Sequence, residues 1–413
     1  MTNDCLSNTT IPQTLELEGE QLSAFYQPII ALDTRKVVGY EVLGRACKDD
    51  AVRSLGPFFC DPTVPLEDHI AVDRILREQA FQKIAATDQP PMLFINLKPN
   101  WMHHGMQSGE LYTLSLLDKY QIDPSRVVIE ITEESFNGEV DELREVIDMY
   151  RAKGCLIAID DVGSGFSGID RIALIQPNIL KIDMHMLKRS ANHDGYLGTL
   201  RSFSALADQL GASLLAEGVE TRQDLARAMQ AGVRYVQGFL FAKAEPDFEQ
   251  PFRFSSLLEE ELEAHRQLQL YSENYWRYLS DRLAGRVDRI GHLEELEEED
   301  NEWIVRLLQE LDSNCIRVYL CRDDGIQISS NYSRRPVDGS WRREDEYCGA
   351  NWSWRPYFVP NVVQLSEKRR SIVSRAYTDL DSRAWIRTVS VLAKPGIILF
   401  VDMKDPEPDY YRL

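Results

Sequence analysis

LIAIDDV (Leu156–Val162) is an apolar run that ends on two adjacent carboxylates, Asp160 and Asp161. A run apolar at every position reads as a strand buried on both faces, as in parallel sheets and barrels. Adjacent strand residues point to opposite faces. Both acids therefore reach one site only where the strand ends and bends, and Gly163, Ser164 and Gly165 follow at once to allow it. Similar runs lie on either side between about Gln21 and Ala244: AFYQPIIAL, VVGYEVLG, MLFINLK, VVIEITE, ILKIDM, SLLAEGV and VQGFLF. Helical stretches such as LEDHIAVDRILREQAFQKIAA, DELREVIDMYRAKG and TLRSFSALADQLGA separate most of them, the last two closing on Gly154 and Gly211.

Glu41, Asn96, Glu130, Asp160, Asp161 and Glu217 all fall at strand ends. Polar ligand-type groups on successive strand ends describe the cation-filled mouth of an α/β barrel. Only ALDTRK separates Ile30 from Val37, too short for a parallel crossover. The first two strands are thus predicted to form a hairpin. The expected fold is α/β: a modified (β/α)8 TIM-like barrel with one antiparallel strand. The expected divisions are a tail over 1–19, the barrel over 20–250, a helical connector over 251–312 and a smaller α+β domain over 313–413.

The net charge of −20 over 413 residues weighs against a double-stranded DNA partner, which requires a basic face. It leaves room for a small phosphate ester, because bound cations invert the local field. Seven cysteines without a paired CxxC pattern read as reduced thiols. No apolar run reaches membrane-span length, and MTNDCLSNTT lacks the form of a signal peptide, so a cytoplasmic protein with no membrane partner is expected. The seven histidines, His103-His104 included, match no zinc spacing, and there is no Walker loop or dinucleotide fingerprint.

Glu41, Asn96 and Glu130 offer the hard oxygens that Mg2+, Mn2+ or Ca2+ prefer, though each singly could be a polar strand cap. Lys181 in ILKID is unusual in an apolar strand; it could position a water, offset phosphate charge, or pair with Asp183 or Asp160. Glu217 could accept a proton. Gln27 and Gln237 suit a base edge or phosphate, and Arg45 can hold a phosphate bidentately.

In order along the chain, GYEVLGR, FINLKP, VVIEITEE, DDVGSGFS, KID, AEGVE and QGFLFAK make the region from FYQPII to QGFLFAK resemble the EAL-domain family of cyclic di-GMP phosphodiesterases. The resemblance implies two divalent cations, Mg2+ or Mn2+ with Ca2+ inhibitory, held by Glu41, Asn96, Glu130, Asp160, Asp161 and Glu217. It implies hydrolysis of cyclic di-GMP to linear pGpG, with Glu217, Lys181 and Glu41 catalytic and Gln27, Arg45 and Gln237 on substrate. Glu133 would brace the loop after the double Asp, and a homodimer is implied. The chain departs from the family pattern at Val42, Val162, Ser164, Phe166 and Ala244, and the altered loop motivates an alternative, a weak or inactive cyclic di-GMP receptor.

Beyond the barrel, strands are predicted near CIRVYLC, IQISSNY, SIVSRAYTD, IRTVSVLA and GIILFVDM. GANWSWRPYF, YTDLDSR and IRTVSV resemble a PAS-like or Cache-like sensory module. Trp354, Arg355, Tyr357, Tyr377 and Asp379, with Trp352, are residue types that hold a small cytosolic amine or carboxylate; the other reading is core aromatics with an Arg355–Asp379 ion pair.

Overall fold

The computed structural model describes residues 16–17, 19–49, 51–97, 111–132, 140–163, 169–190, 193–290, 301–366 and 368–405. The chain divides into two compact units, Met1–His265 and Arg266–Leu413.

The first unit contains β1 (Glu16–Leu17), β2 (Glu20–Ala31), β3 (Lys36–Lys48), β4 (Ala51–Ser54), β5 (Met92–Leu97), β6 (Val127–Thr132), β7 (Leu156–Val162), β8 (Ile179–Ile182), β9 (Ser213–Ala216) and β10 (Tyr235–Val236). Its helices are α1 (Gly56–Cys60), α2 (Leu66–Ala85), α3 (Tyr112–Tyr120), α4 (Val140–Lys153), α5 (Ile169–Ile175), α6 (Met184–Ser190), α7 (Asp194–Leu210) and α8 (Arg222–Gln230). The order β2-β10-β9-β8-β7-β6-β5-β3, closed by β2–β3 pairing, makes an eight-stranded barrel. Among the described strands only β2 runs against its barrel neighbours, antiparallel to both β3 and β10. The hairpin runs from Gln21↔Cys47 to Ala31↔Lys36, with Arg35 left-handed (φ 58°) in its turn. The short strands β1 and β4 add to β2 and β3 outside the ring.

Period-2 alternation sorts the barrel's apolar residues into two cores. Val127, Ile129 and Ile131 pack outward in one cluster with helix residues such as Val146, Ile147 and Tyr150. Val128 between them joins an interior cluster with Ile29, Ala31, Phe94, Ala158, Ile179, Leu215 and Tyr235. The predicted strand VQGFLF is cut to Tyr235–Val236. After Gln237 the Phe241 and Ala242 N–H groups donate back to Gly238 O, which makes a turn rather than a ladder.

Helix α9 (Ser255–Ile290) contains the division between the units. Leu258 belongs to the barrel core; Trp276, Leu279, Leu283 and Val287 belong to the second unit's. That unit adds α10 (Asn301–Leu308), β11 (Cys315–Arg322), β12 (Asn331–Arg334), β13 (Trp341–Glu344), α11 (Phe358–Gln364), β14 (Ser371–Val373), β15 (Tyr377–Thr378), β16 (Trp385–Lys394) and β17 (Ile397–Lys404). The antiparallel sheet has the order β13-β12-β11-β17-β16-β14, with β15 also on β16. Val318, Leu320, Leu399 and Val401 face α9 and α10, whereas Tyr319, Cys321, Ile398 and Phe400 pack with Phe358 of α11.

Two of the five predicted strands differ here. IQISSNY is strand only from Asn331, because the Ser329 hydroxyl accepts the Leu320 N–H at 2.9 Å and displaces the backbone ladder. SIVSRAYTD splits in two around Ser374, whose hydroxyl accepts the Thr388 N–H in the same way. Among the described residues no helix is long and apolar enough to cross a membrane.

Phe94 lies in the barrel interior against Gly39 of the neighbouring strand β3, where an added Cβ would lie 2.9 Å from the ring. Phe94→Ala is expected to lower stability by about 3–5 kcal/mol, read as an earlier urea midpoint for the barrel transition.

Candidate functional site

The site is a polar storey built on the apolar interior. Counting two residues toward the mouth from each interior residue gives Phe94 to Asn96, Val128 to Glu130, Ala158 to Asp160, Ile179 to Lys181, Leu215 to Glu217 and Tyr235 to Gln237. On antiparallel β2 the count reverses, from Ile29 to Gln27, and on β3 it runs from Gly39 to Glu41. Gln27 and Glu41 are register partners, as are Asn96 and Glu130. Side chains two apart share a strand face, so the alternation that buries the lower layer delivers all eight polar groups to one end.

Lys181 sits at the centre and is fully buried. Its Nζ lies 2.6 Å from Glu217 Oε1, 2.7 Å from Glu130 Oε1, 3.1 Å from Asp160 Oδ1 and 3.9 Å from Glu41 Oε2. Burial alone would lower this ammonium; the surrounding carboxylates, Asp160 foremost, outweigh it and hold it well above the ordinary lysine range. Glu130 and Glu217 are pushed well above the usual carboxylate range, first by burial, with Lys181 opposing. Glu41 is fixed from two sides: Asn96 Nδ2 donates to its Oε1 at 3.1 Å and Gln237 Nε2 to its Oε2 at 2.7 Å. Gln237 Nε2 also donates to Gln27 Oε1, and Gln27 Nε2 to Ala242 O.

The bend expected after the double Asp begins on Asp161 itself. Asp161 is left-handed (φ 57°), and the β7–β8 register slips between Ile159 and Val162. A bulge turns a side chain that alternation would send outward, and Asp is among the few residues that tolerate this conformation. Asp161 N donates to Asp160 Oδ1 at 2.9 Å. Burial, then repulsion from Asp160, raises the Asp161 carboxyl to about 6. Gly163 follows at φ 96°, where any Cβ would collide with Met186 Cε at 2.0 Å.

One ammonium therefore stands among five carboxylates, and among the described residues buried Glu130 Oε2 has no hydrogen-bond partner. Oxygens of Asp160, Asp161 and Glu217 lie within 4.8 Å of one another. Hard donors, excess negative charge and an unpartnered carboxylate oxygen fit divalent cations of the Mg2+, Mn2+ or Ca2+ type.

Arg45 lines a cavity of about 240 Å3 with Leu43, Asp73, Arg77 and Asn96. Asp73 and Arg77 were not singled out by the sequence reading. Buried Arg77 donates to Asp73, to Thr113 Oγ1 and to the Asn96 carbonyl at 3.1 Å, so it holds the strand end that carries Asn96. The available signal was an acid–arginine pair at i,i+4 among apolar helix positions. Glu133, Ser164 and Phe166 lie outside the described residues.

The five residues expected to share a ligand in the second unit do not stay together. Arg355, Tyr357 and Tyr377 line one cavity of about 790 Å3. Trp354 is 64% exposed and stands under Arg355 rather than lining that cavity. Asp379 is buried and bound by Arg317 at 2.9 Å and by the Ser382 N–H and hydroxyl, so the ion pair predicted with Arg355 is made with Arg317 instead. Asp402, on a neighbouring strand, supplies the second acid that fixes Arg317 there.

A family model described as EAL domain matches residues 10–244, and one described as EAL-domain associated signalling protein domain matches 258–406. The EAL-domain containing protein YkuI of Bacillus subtilis (strain 168) is 34% identical over 391 residues, covering 92% of this chain and 93% of YkuI. The YkuI crystal structure in complex with substrate c-di-GMP and calcium aligns with a TM-score of 0.83 at 33% identity, over 93% of this chain and 96% of that one. Cyclic di-GMP phosphodiesterase RocR of Pseudomonas aeruginosa is 30% identical over 237 residues, 56% of this chain and 59% of RocR. The polar storey, the single antiparallel strand and these matches agree: the chain belongs to the EAL-domain family and carries an EAL-associated signalling domain after its barrel.

Proposed function

We propose that the barrel hydrolyses cyclic di-GMP to linear pGpG with two divalent cations, Mg2+ or Mn2+, and that the C-terminal domain modulates the rate in a cytoplasmic homodimer. The observation that carries the reading is the convergence of five carboxylates and Asn96 around one buried ammonium. Membership of a family that includes cyclic di-GMP phosphodiesterases supports it.

Glu41, Asn96, Glu130, Asp160, Asp161 and Glu217 would hold the cations, which when bound polarise the phosphodiester and acidify the attacking water. Lys181 Nζ, fixed by three carboxylates within 3.1 Å, orients that water and offsets charge building on the phosphate. Glu217 is the most exposed of the acids touching Lys181, 23% against 0% for Glu130, and so is placed to take the proton. Gln237 holds Glu41 in position and is braced in turn by Gln27, and both would meet the substrate at the mouth. Arg45 and its cavity receive a phosphate or base edge.

The test is conversion of cyclic di-GMP by the full chain with Mg2+, Mn2+ or Ca2+. Turnover with Mg2+ or Mn2+ and suppression by Ca2+ are expected. Calorimetric binding without product under all three would replace the hydrolase with a receptor.

Two substitutions separate the chemistry from the fold, and a third tests what the fold gains from the buried ammonium. Glu41→Ala is expected to cut turnover at least about 100-fold, about 2.7 kcal/mol of barrier, with an unchanged circular dichroism spectrum. Asp161→Asn keeps the left-handed corner, since Asn tolerates it, and removes the charge; the melting temperature should hold while Mn2+ affinity falls. Lys181→Met leaves Glu130 buried beside its acidic neighbours and is expected to cost about 3 kcal/mol of stability, a loss that added Mn2+ should reduce in a thermal melt.

A further inference from the structure

The cavity of the second unit lies among α11, β14 and β15. It is lined by Arg355, Arg369, Arg375, Tyr357, Asn361 and Tyr377, among others. Among the described residues no Asp or Glu lines it. That is unusual on a chain of net charge −20, and unusual within this unit. Arg286, Arg317, Arg322, Arg342, Arg343, Arg370 and Arg387 each have an acid within 4 Å. Among the described residues no acid lies within 4 Å of the cavity arginines, and two of them have neutral neighbours. Arg355 lies over the Trp354 ring at 4.6 Å and the Trp352 ring at 5.9 Å. Arg369 Nη1 donates to Gln364 Oε1 at 2.9 Å.

Arg355 Nε is buried and, among the described residues, has no hydrogen-bond partner. A buried polar atom left unpaired is costly and calls for a partner the chain does not supply. A guanidinium presents a planar fork that matches carboxylate and phosphate oxygens two at a time. The cavity's tyrosines are tied down behind it: Tyr357 Oη lies 3.2 Å from Tyr319 Oη, Tyr377 Oη lies 2.6 Å from Thr388 Oγ1, and the two rings stack at 5.5 Å and 19°. Buried Asn361 is fixed in turn, its Nδ2 donating to Ser390 Oγ at 2.9 Å. The wall is thus preorganised, and the charge of the described residues at its rim is positive. A volume of about 790 Å3 suits a metabolite-sized ligand.

We propose that this cavity is a binding site for a small organic anion bearing phosphate or carboxylate groups, gripped by Arg355, Arg369 and Arg375 with its body against Tyr357 and Tyr377. An amine is excluded as the ligand's anchoring group: Asp379, the acid that would have met it, is neutralised by Arg317. The site is lined by residues of the second unit alone, and its test reads binding rather than turnover.

The test is calorimetric titration of the full chain with citrate, inorganic pyrophosphate and GMP at constant ionic strength, so that the arms separate carboxylate, bare phosphate and phosphate on a ring. At least one probe should bind. The double substitution Arg355→Gln with Arg375→Gln should weaken it tenfold or more, and Arg375→Gln alone, an exposed change that the fold tolerates, should weaken it by a smaller factor. Glu41→Ala should leave the same affinity unchanged. The proposal is overturned if no probe binds, if binding ignores the arginine substitutions in protein of unaltered melting temperature, or if it follows Glu41 instead.

Discussion

A single ammonium buried among carboxylates governs the barrel mouth. A lysine taken out of water costs several kcal/mol, and so does each ionised acid beside it. Lys181 meets three acids within 3.1 Å and a fourth at 3.9 Å, which neutralises one charge and leaves the rest in excess. The polypeptide alone thus presents an unbalanced cluster in which burial first, then the neighbouring acids, push the Glu130 carboxyl up against the pull of Lys181, and among the described residues one Glu130 oxygen is left without a partner. A site in this condition has affinity for multivalent cations written into its charge balance, and the closed sheet beneath prevents the acids from relaxing apart.

Much of that arrangement was legible in the sequence because a strand has only two faces. F-I-N, V-I-E, A-I-D, I-L-K and Y-V-Q each put an apolar residue inside and a polar residue one step up on the same face. The short ALDTRK connection likewise gave away the antiparallel strand. What could not be read depended on side chains replacing backbone. The hydroxyls of Ser329 and Ser374 take ladder hydrogen bonds and shorten strands that look continuous by composition. Edge strand β13, WRRE, carries none of the alternation that marks a buried strand. Asp73 and Arg77 on α2 carry no distinctive signal in the sequence because a charged pair at helix spacing usually faces solvent; here Arg77 is buried and one of its donors reaches the Asn96 carbonyl.

The second unit shows the opposite use of charge. Arg317 bridges Asp379 and Asp402 in the sheet, and Thr388 Oγ1 donates to Asp402 at 2.6 Å. This network satisfies its own members and so consumes the acid that residue type alone would assign to a ligand. Whether a charged side chain is structural or available cannot be told from its identity; it depends on which partner reaches it first, and that contact spans 62 residues between Arg317 and Asp379.

The corner at Asp161 couples a torsion to a charge. Backbone at φ 57° tolerates glycine, asparagine and aspartate far better than other residues, and of those three only aspartate brings a formal negative charge. Glycine would preserve the path and erase the donor; glutamate would preserve the charge and resist the path. Mutational drift at this codon therefore meets a cost in every direction, so loss of function there should be abrupt rather than graded.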